Sequence, residues 1–342
     1  RFAGSTSAAG LEDLTLSMLR GEEGRQADEL RLVAEWIKAL PDASKPEVIV
    51  LSNALLAGLA KSLKQAAGCP VVCWLQDEHV WTDAMTPALR DTVVGAMAAD
   101  AREMDAFVAV SAAYAERMKI LLDLSPQRVS VVFPGIDPAA YSPADVSRLP
   151  PVIGFLSRLS AEEGFDRFVD AFLLLRRDPR FAEVRLSATG GPSADKRFLA
   201  RQLKRLAEAG LAQAATVSTD RFAQDRFGFL SELTLLSVPG GNAPEAFGYY
   251  AIEAMAAGVP VVLPAQGAFP EITAAAGCGV LTPDAQPDTL ARAWAELLSD
   301  PERLRRESEK GRTAACGVFS QTSAAAALER VLTTLCLGMH PD

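Results

Sequence analysis

At 342 residues the chain is long enough for two domains with a core each, and 49% hydrophobic against 23% charged residues excludes a disordered or fibrous protein. With 43 acidic against 34 basic residues, net charge −9, it lacks the basic surplus of a general nucleic-acid binder, though a local basic pocket for a small phosphorylated ligand stays open. The five cysteines (Cys69, Cys73, Cys278, Cys316, Cys336) show no CxxC spacing and have only His79 and His340 to help, so they read as reduced cytosolic thiols rather than disulfides or a zinc site. No apolar run approaches the roughly 20 residues of a membrane-spanning helix, and no signal peptide is evident.

In chain order, residues 1–28 read as a weakly structured lead-in, or as the remainder of a longer N-terminus, because the chain opens on Arg1. "RQADELRLVAEWIKAL" follows with helical spacing. Short β-branched runs then begin, at 46–53, 69–76, 106–111 and 128–135, separated by stretches with helical periodicity. Continuous apolar strands alternating with helices predict a parallel sheet with crossover helices. The proline-rich "PGIDPAAYSPADVSRLPP" (134–151) interrupts the rhythm and predicts an exposed linker. A second series of strands is expected at 151–157, 184–190, 215–219, 234–240, 258–264 and 279–283. The predicted architecture is α/β, with two Rossmann-like, doubly wound parallel-sheet domains. The N-terminal domain spans 1–135 and lacks one or two strands, the linker 136–150, the C-terminal domain 151–318, and a terminal helix 319–342. Ligands of such sheets sit at the carboxyl ends of the strands, which makes a cleft between two facing sheets the expected site.

Dinucleotide, Walker A, EF-hand and GxSxG fingerprints are all missing. The informative stretch is "PEAFGYYAIEAMAAGVPVVL" (244–263), where Glu245 precedes a helix and Glu253 lies in its second turn. A helix beginning near Gly248 would aim the backbone N–H groups of Phe247, Gly248 and Tyr249 at an anion. Two carboxylates flanking that anion site suit a ligand with a sugar at each end of a diphosphate. The plain alternative puts Glu245 on an exposed loop and Glu253 on a solvent-facing helix side.

These residues resemble the E-x7-E signature of family-4 retaining glycosyltransferases, which have the two-Rossmann GT-B fold. "VVFPGID", "VIGFLSRLSAEEGFDRFVDAF" and "PAQGAFPEI" are similar to further segments of that family in the same order, and the likeness runs from about residue 45 to the end. The resemblance implies a metal-independent, hexosyltransferase-like enzyme without a cofactor, moving a sugar from a UDP- or GDP-type donor to an acceptor hydroxyl with retention. It implies that Glu253 holds the donor ribose, Glu245 the transferred sugar, Phe247 and Gly248 the diphosphate or sugar through their amides, and Arg158 the diphosphate charge. It also implies that the last helices cross back to the first domain. The chain departs from the family where a Lys-Gly pair is usual: Glu163 stands in place of the lysine, before Gly164. Lys196 or Arg197 compensates, or Glu163 swings away, or donor binding is weak.

On the acceptor side, "WLQDEHVWTD" (74–83) follows a strand, making Gln76, Asp77, Glu78 and His79 candidates for acceptor contacts or a base. Asn53 and Ser111, at strand ends, are further candidates, although polar caps are common there. Asp77, His79 and Asp83 match no metal-ligand spacing, so no metal is expected. A carbohydrate, lipid or small-molecule acceptor, and peripheral membrane contact, are left open; the expected location is cytoplasmic. The competing readings are a non-catalytic nucleotide-sugar binder or regulatory protein on the same scaffold, supported by Glu163, and an epimerase or phosphorylase of similar fold.

Overall fold

A computed structural model describes residues 12–191, 195–240 and 244–338. The chain divides into a unit running up to Phe133, which takes back the segment from Ala325, and a second unit, Pro134–Ala324.

The first unit is built on β1 (Ile49–Leu51), β2 (Val71–Leu75), β3 (Ala106–Ala109) and β4 (Val129–Val131), all parallel and in the order β1-β2-β3-β4. Every connection steps the same way, and right-handed crossovers then place the intervening helices on one face. Something else must cover the other. Alternate residues Val72, Ala106, Val108 and Val132 gather on that face, and Ala327, Leu328, Val331, Leu332 and Leu335 pack against them. These five residues form one stripe of the helix Gln321–Cys336 at helical spacing.

Residues 12–28 do not form the weakly structured lead-in that the sequence suggested; residues 1–11 lie outside the described ones. Glu12–Leu19 is a helix, Leu19 is buried, and Trp81 Nε1 donates to Thr15 Oγ1 at 3.1 Å. Ser62 Oγ donates to Glu22 Oε1 at 2.5 Å, fixing the following turn. Thr15 and Ser17 are buried while Leu14 is exposed, so the helix turns a partly polar face inward that no apolar stripe announces.

The second unit has six parallel strands: β5 (Val152–Leu156), β6 (Arg185–Thr189), β7 (Ala215–Ser218), β8 (Leu235–Ser237), β9 (Val261–Pro264) and β10 (Val280–Thr282). Their order is β10-β9-β8-β5-β6-β7, the doubly wound Rossmann arrangement. The chain reverses direction between β5 and β8, which is where such a sheet opens a crevice at its carboxyl edge. Beneath it, Phe155 of β5 meets Phe165 and Phe168 at ring-centroid distances of 5.1 and 5.3 Å, and Phe168 meets the fully buried Trp294 at 5.2 Å. The proline-rich stretch is less exposed than its composition suggests. Tyr141 is buried, and Ala144 N–H donates to Ala257 O at 2.8 Å.

Candidate functional site

The loops after β5 and β8 meet at the switch point of the second sheet. After β5 the chain turns tightly: Gly164 N–H donates to Ala161 O and Phe165 N–H to Ser160 O, at 3.0 and 3.1 Å. Gly164 has φ +74°, and a Cβ there would stand 2.4 Å from Gly240 O, in the loop after β8. Only glycine serves both demands, a left-handed backbone and that close approach. Arg167, one turn into the next helix, donates from Nη1 to Gly240 O at 3.3 Å. Arg158 is exposed beside this turn. Glu163 is half-buried and accepts from Ser157 Oγ at 3.1 Å, so its carboxylate is tied back onto its own loop. Arg197 is exposed and its backbone N–H is capped by Asp195 at 2.8 Å; the Lys196 side chain lies outside what is described.

After β8, Pro244–Gly248 leads into the helix Tyr249–Ala256. The stretch rests on the loop after β9 through Ala268 N–H, which donates to Glu245 O at 3.1 Å. Glu245 is half-buried, and Tyr250 OH donates to its Oε2 at 3.4 Å. Phe247 is buried with Gly248, whereas Tyr249 is 47% exposed at the helix start, its ring 5.6 Å from that of Phe247.

Glu253 is not on a solvent-facing side: it is 5% exposed, on a helix whose residues Tyr250–Ala256 are all buried. Tyr141 OH donates to Glu253 Oε1 at 2.8 Å, and Arg226 Nη2 lies 3.2 Å from the same oxygen. Burial pushes the Glu253 carboxyl above its usual range, opposed by the Tyr141 hydrogen bond and the Arg226 charge. Neither partner was legible in the sequence. Tyr141 fell in a stretch read as an exposed linker, and Arg226 between two predicted strands with nothing to single it out.

In the first unit, the remaining candidates fall at the carboxyl ends of β1, β2 and β3. Asn53 Oδ1 accepts from Leu55 N–H at 3.1 Å and Ser111 Oγ from Tyr114 N–H at 3.0 Å, so both cap the turn or helix that follows. Gln76 is exposed and donates to Ser52 O at 3.0 Å, and Asp77 is exposed in the left-handed region at φ 57°. Glu78 and His79 turn inward and are buried. Glu78 accepts from Ala54 N–H at 2.9 Å and Tyr114 OH at 2.6 Å, while His79 N–H donates to that same Tyr114 oxygen at 3.3 Å. Tyr114 is thus the hub that joins Glu78, His79 and Ser111. Asp83 is held by Arg90 at 3.3 Å and Arg117 at 2.6 Å. Among the described residues no group of three His, Cys, Asp or Glu could hold a metal ion, and all five cysteines are free thiols; His340 lies outside them.

Residues 146–314 match the family model of glycosyl transferases group 1. Among curated proteins, the chain is 29% identical over 229 residues to the MMP alpha-(1->4)-mannosyltransferase of Mycolicibacterium hassiacum, covering 66% of this chain and 53% of that one. It is 33% identical over 216 residues to the D-inositol 3-phosphate glycosyltransferase of Stackebrandtia nassauensis, covering 60% and 48%. The matched part is thus about half the length of these relatives. Among solved structures, Anabaena HepE in complex with UDP superposes with a TM-score of 0.77 at 19% identity, over 92% of this chain and 84% of that one. Sucrose-phosphate synthase from Thermosynechococcus elongatus gives 0.71 at 20%, over 92% and 80%. The chain has the GT-B fold of glycosyltransferases, and the stretch that holds Arg158, Glu163, Glu245 and Glu253 is the one that matches glycosyl transferases group 1.

Proposed function

We propose that the protein is a glycosyltransferase of the family-4 type, moving a sugar from a nucleotide-diphosphate donor to an acceptor hydroxyl with retention and without metal or cofactor. One observation carries the reading. A buried carboxylate, Glu253, stands one turn inside the helix that starts at the switch point of a Rossmann-ordered sheet, with Glu245 ahead of it and Arg158 across the neighbouring loop. Glu253 takes the ribose hydroxyls, and the helix start with Phe247, Gly248 and Tyr249 takes the diphosphate. Glu245 holds hydroxyls of the transferred sugar. As the bond from the anomeric carbon to the diphosphate oxygen breaks, Arg158 stabilises the charge that develops on the leaving group. The acceptor oxygen bonds to the anomeric carbon from the same face, and its proton passes to the departing diphosphate. Gln76, Asp77, Asn53 and their neighbours are the proposed acceptor side, and the free cysteines fit a reducing cytoplasmic location. Among the described residues no helix is long and apolar enough to cross a membrane.

A second reading has its own observation. Glu163, bound to Ser157 where the related family has a cation, favours a nucleotide-sugar binder without turnover. Calorimetric titration with UDP, GDP and ADP, together with turnover of the matching donors, separates the two. Micromolar binding of one nucleotide, abolished by Glu253→Ala and accompanied by donor turnover, supports the enzyme. Binding without turnover on any donor supports the binder, and binding that appears only in Glu163→Lys overturns a working donor site in the natural chain.

A further inference from the structure

Glu253 is held by more than burial. Oε1 accepts a hydrogen bond from Tyr141 OH at 2.8 Å and is ion-paired with Arg226, whose Nη2 lies 3.2 Å away; among the described residues no hydrogen bond reaches Oε2. A carboxylate offers about four lone-pair positions, so one oxygen engaged by Tyr141 and the Arg226 charge leaves the other for ligand hydroxyls. The two partners come from different parts of the second unit and are themselves braced. Tyr141 meets the Phe227 ring edge-on at 4.9 Å, and the Arg226 guanidinium lies over the same ring at 5.2 Å. The helix Arg221–Ser231 breaks at Asp225, whose φ and ψ of −157° and 61° leave the helical region. Asp225 Oδ1 then accepts from Gly228 N–H at 2.9 Å and starts the second half, so Arg226 emerges at the break. Arg226 is 40% exposed, whereas Glu253 is almost wholly enclosed.

We propose that Tyr141 and Arg226 are positioning residues for nucleotide recognition, pinning Oε1 of Glu253 so that Oε2 is presented to the ribose hydroxyls of a nucleoside diphosphate. This rests on the donor-site reading above. Both residues act through Glu253, so their effect exists only where there are ribose hydroxyls to receive. A structural role, by contrast, would weaken any ligand of the site alike. Arg226 also supplies a neighbouring charge that favours the accepting form of the enclosed carboxylate.

The test is a cycle between variant and ligand. UDP, or GDP or ADP if that is what the unmodified chain binds, is titrated calorimetrically beside its 2′,3′-dideoxy analogue, into the unmodified chain, Tyr141→Phe, Arg226→Gln and Glu253→Gln. The expected result is that Tyr141→Phe and Arg226→Gln each weaken the full nucleotide about tenfold and leave the dideoxy analogue within about twofold, with Arg226→Lys recovering part of the loss. Equal weakening of both ligands by Tyr141→Phe and Arg226→Gln, or no weakening of either, overturns the proposal while leaving the donor site standing. Failure of all three nucleotides to bind the unmodified chain overturns the donor-site reading and the proposal with it. Should Tyr141→Phe melt well below the unmodified chain, the half-exposed Arg226 carries the test, since its replacement leaves no hole in the core.

Discussion

The claim that the loops after β5 and β8 are in contact can be tested by adding one methyl group. Gly164→Ala places a Cβ 2.4 Å from Gly240 O and 3.0 Å from Pro239 Cβ, on a backbone with φ +74°. The left-handed conformation costs an alanine about 1–2 kcal/mol. Relieving the contact with the carbonyl oxygen takes a shift approaching an ångström, an overpacking cost of about 1–3 kcal/mol. Gly210→Ala supplies the control: φ is +73°, nearly the same, and nothing lies within 4 Å of its Cβ site. Both substitutions restrict the unfolded chain equally, so that contribution cancels in the comparison. The expected difference between the two variants is therefore the overpacking part alone, about 2 kcal/mol. In urea, with a slope of about 2 kcal/mol per molar, Gly164→Ala should unfold roughly 1 M below Gly210→Ala. Nucleotide affinity should fall in Gly164→Ala and hold in Gly210→Ala. Coincident unfolding midpoints would refute the contact between the two loops, and with it the crevice as described.

Two further expectations concern buried charge. Tyr114→Phe removes the side-chain hydrogen bond that the buried Glu78 carboxylate receives, and should cost about 2 kcal/mol in melting experiments at neutral pH. Burial already raises the Glu78 carboxyl above its ordinary 4.5; stability is therefore lost as pH rises through the raised value, and the deficit of Tyr114→Phe should shrink in acid rather than grow. Asp100, whose Oδ2 is buried with no hydrogen-bond partner among the described residues, is pushed up from 3.8 to about 6 by burial and then by the charge of Glu103. Its penalty builds between those two values, so Asp100→Asn should melt higher at pH 8, by about 1 kcal/mol once partial exposure is allowed for, and should gain nothing at pH 3.5; a gain that persists in acid would rule out the charge as its cause.

The sheets were legible because strands buried on both faces must be continuously apolar, as "VVCWL" and "VIGFL" are, and helices between them must carry a stripe. Strand order was not, since pairing is decided by contacts between runs that look alike, such as Gly154 with Leu236 and Ser187. Of the candidate site, the sequence showed the spacing: Glu245 and Glu253, eight apart, do bracket a helix start. It was not legible where a polar side chain works by being enclosed. Nothing in "WLQDEHVWTD" says that Glu78 and His79 turn inward onto Tyr114 while Gln76 and Asp77 stay out. Composition misled at Tyr141, because prolines announce a break in regular structure and say nothing about whether the broken segment is covered.

Glu253 shows how physical cost can point to function. Its helix is short and buried from Tyr250 onward, with alanine, isoleucine and methionine around it, and an apolar residue in that place would avoid the desolvation of a carboxylate. The pair it forms with Arg226 does not make the arrangement favourable for stability, because Arg226 is half in water and Glu253 is almost wholly out of it. The Tyr141 hydrogen bond and the Arg226 charge on Oε1 reduce the cost of the charge without removing it. An acceptor held at the carboxyl edge of a Rossmann-ordered sheet, with one oxygen engaged and the other available, suits the recognition of a hydroxyl-bearing ligand. The break in local design at this one residue is thus accounted for by the proposed donor site and not by the fold.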